Sequence, residues 1–183
     1  FREQVEHGSW AITVGTIHQA IVARRHGIRR VLLANQLIGR QAIRGALDML
    51  REDPGFELLA LVDSLASVEM LAKAAAAAPV GRPVPVLLEI GYAGGRTGCR
   101  DADTALAVAR AVKAAEPYLA LRGIEGFEGL VSGRTIDEAA DQVRAFLERM
   151  VAMAAATDAG GLFAPGPIIL SAGGSAFYDI VVD

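Results

Sequence analysis

The sequence predicts an α/β fold, and specifically an incomplete (β/α)8 TIM-type barrel. Strand-like and helix-like segments alternate about six times along the chain. The predicted strands are continuous apolar runs, which are typical of parallel strands covered on both faces. No Gly-x-Gly-x-x-Gly motif follows the first strand, and this argues against a doubly wound dinucleotide-binding sheet. Because a closed barrel needs eight strands, we expect one or two to be missing, on the N-terminal side.

Six segments rich in Val, Leu and Ile predict the strands. Each is an apolar run of about 4–8 residues, the usual length of a strand. The predicted strands are residues 11–16, 30–34, 57–62, 84–90, 119–124 and 168–171. Residues 179–183 have the same strand-like composition, and the chain begins with Phe1 rather than Met. We therefore expect it to be part of a longer protein and to stop within a strand.

Five predicted helices follow these strands. Gly27 stops the first, Pro54 follows the second and Pro79 closes the third, since glycine and proline end helices readily. Asp137 and Glu138 lie in the first turn of the longest helix, where negative charge is favourable. The predicted helices are residues 17–26, 39–52, 67–78, 101–115 and 135–157.

The composition excludes several classes of partner. Hydrophobic residues make up 52% of the chain, aromatic residues only 5%, and the net charge is -3, so neither nucleic acid nor an anionic membrane is indicated. No apolar run reaches the ~18 residues of a membrane span, and the charged N-terminus is not a signal peptide. The single cysteine, Cys99, excludes an internal disulfide and fits a reducing compartment. We expect a cytoplasmic location.

The strongest candidate site is the glycine-rich segment after the last predicted strand. Active sites of such barrels lie at the C-terminal ends of the strands, often with a phosphate site after a late strand. Consecutive backbone N–H groups can surround an anion, and serine hydroxyls add donors. These features favour a phosphate site, although a tight turn would have the same composition. Its residues are Ser171, Ala172, Gly173, Gly174 and Ser175.

Other strand ends supply charged, aromatic and amide groups. Glycines surround Arg96, which either points inward to bind a phenolate or carboxylate or lies in a solvated loop. Alternation places Glu125 and Phe127 on one side of their strand, and Phe127 either stacks on a flat ligand or belongs to the core. Asn35 and Gln36 are candidates to line the same opening.

Three further residue types are placed less favourably for chemistry. The histidines His7, His18 and His26 have no spacing typical of a metal pair and are interpreted as surface residues. Lys73 and Lys113, the two lysines, fall in predicted outer helices, away from the strand ends. Neither is placed to form a Schiff base. We interpret Cys99 as a small buried or half-buried residue.

Five segments in order resemble the D-threonine aldolase and D-serine dehydratase family, which are pyridoxal-phosphate enzymes with barrels of the alanine racemase N-terminal type. The motifs Ala-Asn-Gln and Glu-Gly-Phe-Glu-Gly are most similar to those of the branch called amino acid deaminases. The matching segments are residues 11–16, 31–36, 88–91 leading into 95–98, 123–129 and 171–175.

The resemblance implies a lyase that converts D-serine-like D-3-hydroxy amino acids to a 2-oxo acid and ammonia. Gly173, Gly174 and Ser175 would hold the cofactor phosphate, and Arg96 would contact the cofactor ring or the substrate carboxylate. The pocket would be lined by Glu125, Phe127, Asn35 and Gln36. A D-threonine aldolase, a racemase, a non-catalytic pyridoxal-phosphate carrier and a phosphate-binding barrel without this cofactor remain alternatives.

Two catalytic features of the family do not map onto this chain. The Schiff-base lysine follows the first barrel strand, which would lie upstream of Phe1. The divalent metal, Zn or Mn, is held in a C-terminal β domain that would begin about where the chain ends. We therefore expect residues 1–183 to form a partial pyridoxal-phosphate-binding barrel without catalytic activity of its own. The resemblance also implies a homodimer.

Overall fold

Six parallel strands form one sheet in the computed structural model of the chain, which describes residues 1–174 and 176–182. The order across the sheet follows the chain from β1 to β6, and each neighbouring pair is parallel. This order and the curvature of the sheet confirm the predicted fold class, an incomplete (β/α)8 barrel. The strands are β1 (Ile12–Val14), β2 (Arg30–Gln36), β3 (Glu57–Val62), β4 (Val84–Ile90), β5 (Leu119–Gly126) and β6 (Ile169–Ala172).

Helices α2–α6 connect the consecutive strands, because parallel neighbours need a crossover between them. Most of them begin at a residue whose side chain accepts a hydrogen bond from the third helical residue: Thr16 from Gln19, Ser64 from Ser67 and Thr135 from Glu138. The helices are α1 (Arg2–Glu6), α2 (Ile17–Arg25), α3 (Arg40–Glu52), α4 (Leu65–Ala77), α5 (Ala102–Ala114), α6 (Ile136–Ala159) and α7 (Tyr178–Val182).

The two faces of the sheet bury different sets of side chains. The outward face packs under the helices in one large apolar cluster that includes Val31, Leu58 and Val86. The inward face carries a smaller cluster of Leu32, Leu59, Leu61 and Leu87, against which Ile169 packs. This inner cluster lies on the concave side of the curved sheet. Residues two positions later on the same strands therefore point into the mouth of the half-barrel.

The last residues of the chain form a helix, and the prediction of a strand there is wrong. Residues 179–183 are predicted as a strand, but α7 covers Tyr178–Val182, and Asp183 lies outside the described residues. A five-residue segment with three apolar residues is too short for its periodicity to distinguish the two. Here Ile180 and Val181 lie beside Leu147 and Val151 of α6, and the partial burial of their apolar surface favours the helix.

Other boundaries differ by a few residues. The first strand is confined to Ile12–Val14, because Thr16 already caps α2. The second strand continues through Asn35 to Gln36. In the described part of the chain, no helix is long and apolar enough to cross a bilayer.

A β-bulge in β5 sets the register of β5 with β4 at the C-terminal ends of these strands. The register with β4 shifts where Val86 pairs with Leu121 and Leu87 pairs with Gly123, so one residue of β5 is left over. Gly123 then faces Ile169 of β6, and a Cβ at Gly123 would lie 1.9 Å from the Ile169 carbonyl oxygen. Glycine is required there because β5 and β6 approach so closely.

Candidate functional site at the mouth of the half-barrel

Two buried carboxyl groups lie side by side at the C-terminal ends of β4 and β5. Glu89 pairs in register with Glu125, and Glu125 pairs with Ser171 of β6. Both acids are almost fully buried, with exposures of 2% and 5%. Glu89 lies two residues after Leu87 of the inner cluster on β4, and Glu125 lies two residues after Gly123 on β5. Glu89, Glu125 and Ser171 form a row across the strand ends, here called the acid row, which is the floor of the mouth.

Hydrogen-bond donors satisfy both oxygens of Glu89. The Gln36 amide Nε2 donates to Oε2, and the Thr97 hydroxyl donates to Oε1 over 2.5 Å. Arg96 Nη2 lies 4.0 Å from the same Oε1. Burial is the largest influence and raises the pKa of Glu89, while the bonds from Thr97 and Gln36 and the charge of Arg96 oppose it.

Glu125 has no such support. Its Oε2 atom is buried and has no hydrogen-bond partner among residues 1–174 and 176–182. Burial, followed by the neighbouring charge of Glu89, raises the pKa of Glu125 to about 8. A carboxyl group in this environment holds its proton at neutral pH and offers an O–H donor to the mouth.

Arg96 joins three parts of the rim. Its Nη2 donates to the Ala34 carbonyl oxygen of β2 over 3.2 Å, and its Cζ lies 5.4 Å from the centre of the Phe127 ring. The side chain is 43% exposed, so the guanidinium borders both the row of acids and solvent. The turn that presents it needs glycine at Gly98, which has a φ of +93° and donates its N–H to Asp63 Oδ2 over 3.2 Å.

The glycine-rich segment after β6 already binds an anion of the chain. The N–H groups of Gly173 and Gly174 donate to the two carboxylate oxygens of Glu128 over 2.9 and 2.6 Å, and Glu128 is completely buried. A Cβ at Gly174 would lie 3.0 Å from Phe127 Cε2. The segment therefore adjoins the ring that Arg96 covers, at the same end of the sheet. Successive amides in this arrangement suit an anion.

The chain matches a known protein family. The family model described as "Alanine racemase, N-terminal domain" matches residues 1–178. The chain belongs to this family. No curated protein sequence matches the chain. Enzymes of the alanine racemase N-terminal family depend on pyridoxal phosphate.

Solved structures of three enzymes share the fold of the alanine racemase N-terminal domain with this chain. D-threonine aldolase from Filomicrobium marinum is 24% identical, with a TM-score of 0.73 over 87% of this chain and 42% of that chain. D-threo-3-hydroxyaspartate dehydratase from Delftia sp. HT23 is 22% identical, with a TM-score of 0.70 over 93% and 48%. Alanine racemase of Clostridium difficile 630 is 15% identical, with a TM-score of 0.72 over 96% and 44%. The chain thus spans less than half of each.

Most residues singled out from the sequence reach the rim of this domain, and the structure adds others. Ser171 ends the acid row, whereas Asn35 is exposed and donates to the Gly15 carbonyl oxygen over 3.3 Å. Ser175 lies outside the described residues. Sequence reasoning missed the roles of Glu89, Thr97 and Glu128. Alternation on β4 identifies the first, but nothing local identifies the acid that binds a loop 45 residues away.

The remaining polar groups lie away from the mouth. Lys73 on α4 pairs with Glu69 over 2.6 Å, and Lys113 on α5 pairs with Glu116 over 2.9 Å. His7, His18 and His26 are exposed. Across residues 1–174 and 176–182, no group of three or more His, Cys, Asp or Glu side chains is arranged to hold a metal ion.

Cys99 should be unreactive in the native state. It is 3% exposed, its thiol donates to the Asp63 carbonyl oxygen over 3.3 Å, and burial together with the charge of Asp63 raises its pKa to about 12. Since the thiolate is the nucleophile, we expect iodoacetamide at pH 8 to label native Cys99 at least ~100-fold more slowly than Cys99 unfolded in urea. Equal rates, followed by mass spectrometry, would contradict this burial.

Proposed function

We propose that the chain forms the pyridoxal-phosphate-binding half-barrel of a lyase that converts D-serine-like D-3-hydroxy amino acids to a 2-oxo acid and ammonia. The observation that carries the proposal is the position of Arg96, Phe127, Glu125 and the Gly173–Gly174 segment on one end of one parallel sheet. A cofactor with a phosphate, an aromatic ring and a phenolate needs groups of this chemistry together. When bound, it supplies the electron sink for chemistry at the substrate α-carbon.

The residues of the chain would divide the binding between them. Phe127 offers an aromatic face, and the Arg96 guanidinium offers donors to the phenolate or to the substrate carboxylate. The buried Oε2 of Glu125, which no described residue of the chain contacts with a hydrogen bond, is the polar atom that a ligand would satisfy.

The phosphate would lie at Ser171, Gly173, Gly174 and Ser175. The Gly173 and Gly174 amides donate to Glu128 in the structure, so a phosphate bound to these same amides would displace its carboxylate. A phosphate held by the Ser171 hydroxyl would leave Glu128 in place. Asn35 and Gln36 would line the pocket from β2, with Gln36 acting through Glu89.

The lysines of the chain limit what it can do alone. Lys73 and Lys113 lie on outer helices and are ion-paired, so neither is placed to attach a cofactor at the mouth. We therefore propose non-covalent binding by this chain and no turnover. The lysine expected upstream of Phe1 and the Zn or Mn site would come from outside residues 1–183.

Binding is tested with pyridoxine 5′-phosphate, which lacks the aldehyde and cannot react with surface lysines. We expect equilibrium dialysis to show saturable binding that R96A weakens about tenfold, or about 1.4 kcal/mol, because a charge-assisted hydrogen bond is lost. The control is R134A, whose guanidinium is 94% exposed and pairs with Glu138 of α6. Absence of binding, or equal affinities for R96A and R134A, would remove the proposal.

The reaction is tested on a longer chain that includes this half-barrel and the upstream lysine. Pyruvate and ammonia from D-serine would support dehydration. Glycine from D-threonine would instead identify aldol cleavage, and L-serine from D-serine would identify racemisation. Binding of the cofactor without any of these products would identify a carrier.

A further inference from the structure

We propose that Glu125 carries a proton in the resting site and donates it as a hydrogen bond to an anionic oxygen of the ligand, while the neighbouring Glu89 stays ionised. The inference rests on the proposed function for the identity of the ligand. Its physical basis is the carboxyl pair on β4 and β5, which is independent of that identity. Arg96 borders the same pair, so the anionic oxygen would lie between a guanidinium and a carboxyl O–H.

The hydrogen bonds determine which acid is charged. Glu89 accepts from Gln36 and Thr97 on its two oxygens, and Arg96 lies within 4.0 Å. Each of these stabilises a carboxylate. Glu125 Oε2 is buried and receives no donor from the part of the chain that the structure describes, so ionisation there would leave a charge unsolvated. Two adjacent buried carboxylates cannot both ionise cheaply, and the unsupported one keeps the proton.

The charges around Glu125 come from several elements and are mostly negative. Glu89 faces it from β4, and Glu128 lies in the segment after β5; both raise its pKa. Asp63, after β3, adds negative charge beside Glu89. Arg96, from the segment after β4, is the cation that lowers the pKa of Glu125. Ser171 of β6, its register partner on the other side, has no charge.

A neutral acid changes what the site selects. An ionised Glu125 beside Glu89 would repel phenolates and carboxylates and favour an amine. A protonated Glu125 donates to an oxygen anion, and the bond strengthens as negative charge on that oxygen increases. The phenolate of the cofactor and the carboxylate of the amino acid share this chemistry, and separate titrations with pyridoxine 5′-phosphate and with D-serine distinguish them.

The protonation state is measured directly by ¹³C NMR of the glutamate side-chain carboxyl carbons. At pH 7 we expect one resonance of a protonated carboxyl group, which titrates near pH 8. It should be absent in E125Q. It should be present in the control E148Q, which alters an exposed residue of α6. In E89Q the same resonance should titrate at lower pH, because a neighbouring negative charge is gone. If every glutamate resonance in the unsubstituted chain is that of a carboxylate at pH 7, the inference is wrong, whether or not E125Q folds.

Binding supplies the second test. We expect E125A to weaken the affinity for pyridoxine 5′-phosphate or D-serine about tenfold at pH 7, and E125Q to weaken it less, since the amide still donates. The affinity of the unsubstituted chain should fall above pH 8 relative to E125Q. E125A binding as tightly as the unsubstituted chain would overturn the role of donor. If neither probe binds any variant, the proposed function fails, and the NMR titration alone decides whether Glu125 is protonated.

Discussion

Replacing Gly123 by alanine should destabilise the chain by about 3 kcal/mol or more, at the upper end of overpacking effects. The new Cβ would lie 1.9 Å from the Ile169 carbonyl oxygen and within 2.8 Å of the Ile169 backbone nitrogen. Backbone atoms cannot rotate away as a side chain can, so β5 and β6 must separate. Their separation would also shift Ser171 away from Glu125. Urea unfolding followed by circular dichroism measures the change.

The matched control is the same substitution at Gly45. This glycine lies within α3, and its Cβ would meet only Ile17 Cγ1, at 3.8 Å. Alanine favours an interior helical position over glycine by up to about 1 kcal/mol, so G45A should be at least as stable as the unsubstituted chain. If G123A and G45A unfold at the same urea concentration, β5 and β6 do not approach as described.

Periodicity and composition predict most of the fold, because the central strands β2–β5 carry long buried apolar runs. The predicted ranges 57–62 and 84–90 coincide with β3 and β4, because continuous apolar runs of this length are typical of buried parallel strands. Prediction is less accurate at the ends of the chain. The apolar residues of α7 resemble a strand until packing against α6 is known, since tertiary contacts override propensity in short segments.

The site is predicted in outline for a different reason. Strand ends of a parallel barrel share one rim, so Arg96, Glu125 and Phe127 can be placed together from their positions alone. Which groups partner each other depends on register and loop geometry. The bulge in β5 sets Glu125 beside Glu89, and nothing in the local sequence indicates that Glu128 binds the Gly173 and Gly174 amides. The protonation of Glu125 follows from those partners.

Replacing Glu125 by glutamine should remove a large pH dependence of stability. The pKa of Glu125 is raised from 4.5 to about 8 in the folded chain, so between these values the native state holds a proton that the unfolded state releases. Its stabilising contribution is fully present below pH 4.5 and is lost as the pH rises to 8, at about 1.4 kcal/mol per pH unit. The E125Q side chain cannot ionise, so the free energy of unfolding should fall less steeply from pH 5 to pH 8.

The comparison with other groups isolates this effect. Glu89 has a raised pKa and gives a slope of the same sign, so some decline should remain in E125Q. Cys99 affects the pH dependence of stability only above its ordinary pKa of about 9, because its pKa in the folded chain is raised to about 12. The exposed control E148Q should keep the full slope. The difference in unfolding free energy between E125Q and the unsubstituted chain should therefore grow with pH by a few kcal/mol. Parallel urea-unfolding curves across this range would show that the Glu125 carboxyl is ionised in the folded chain.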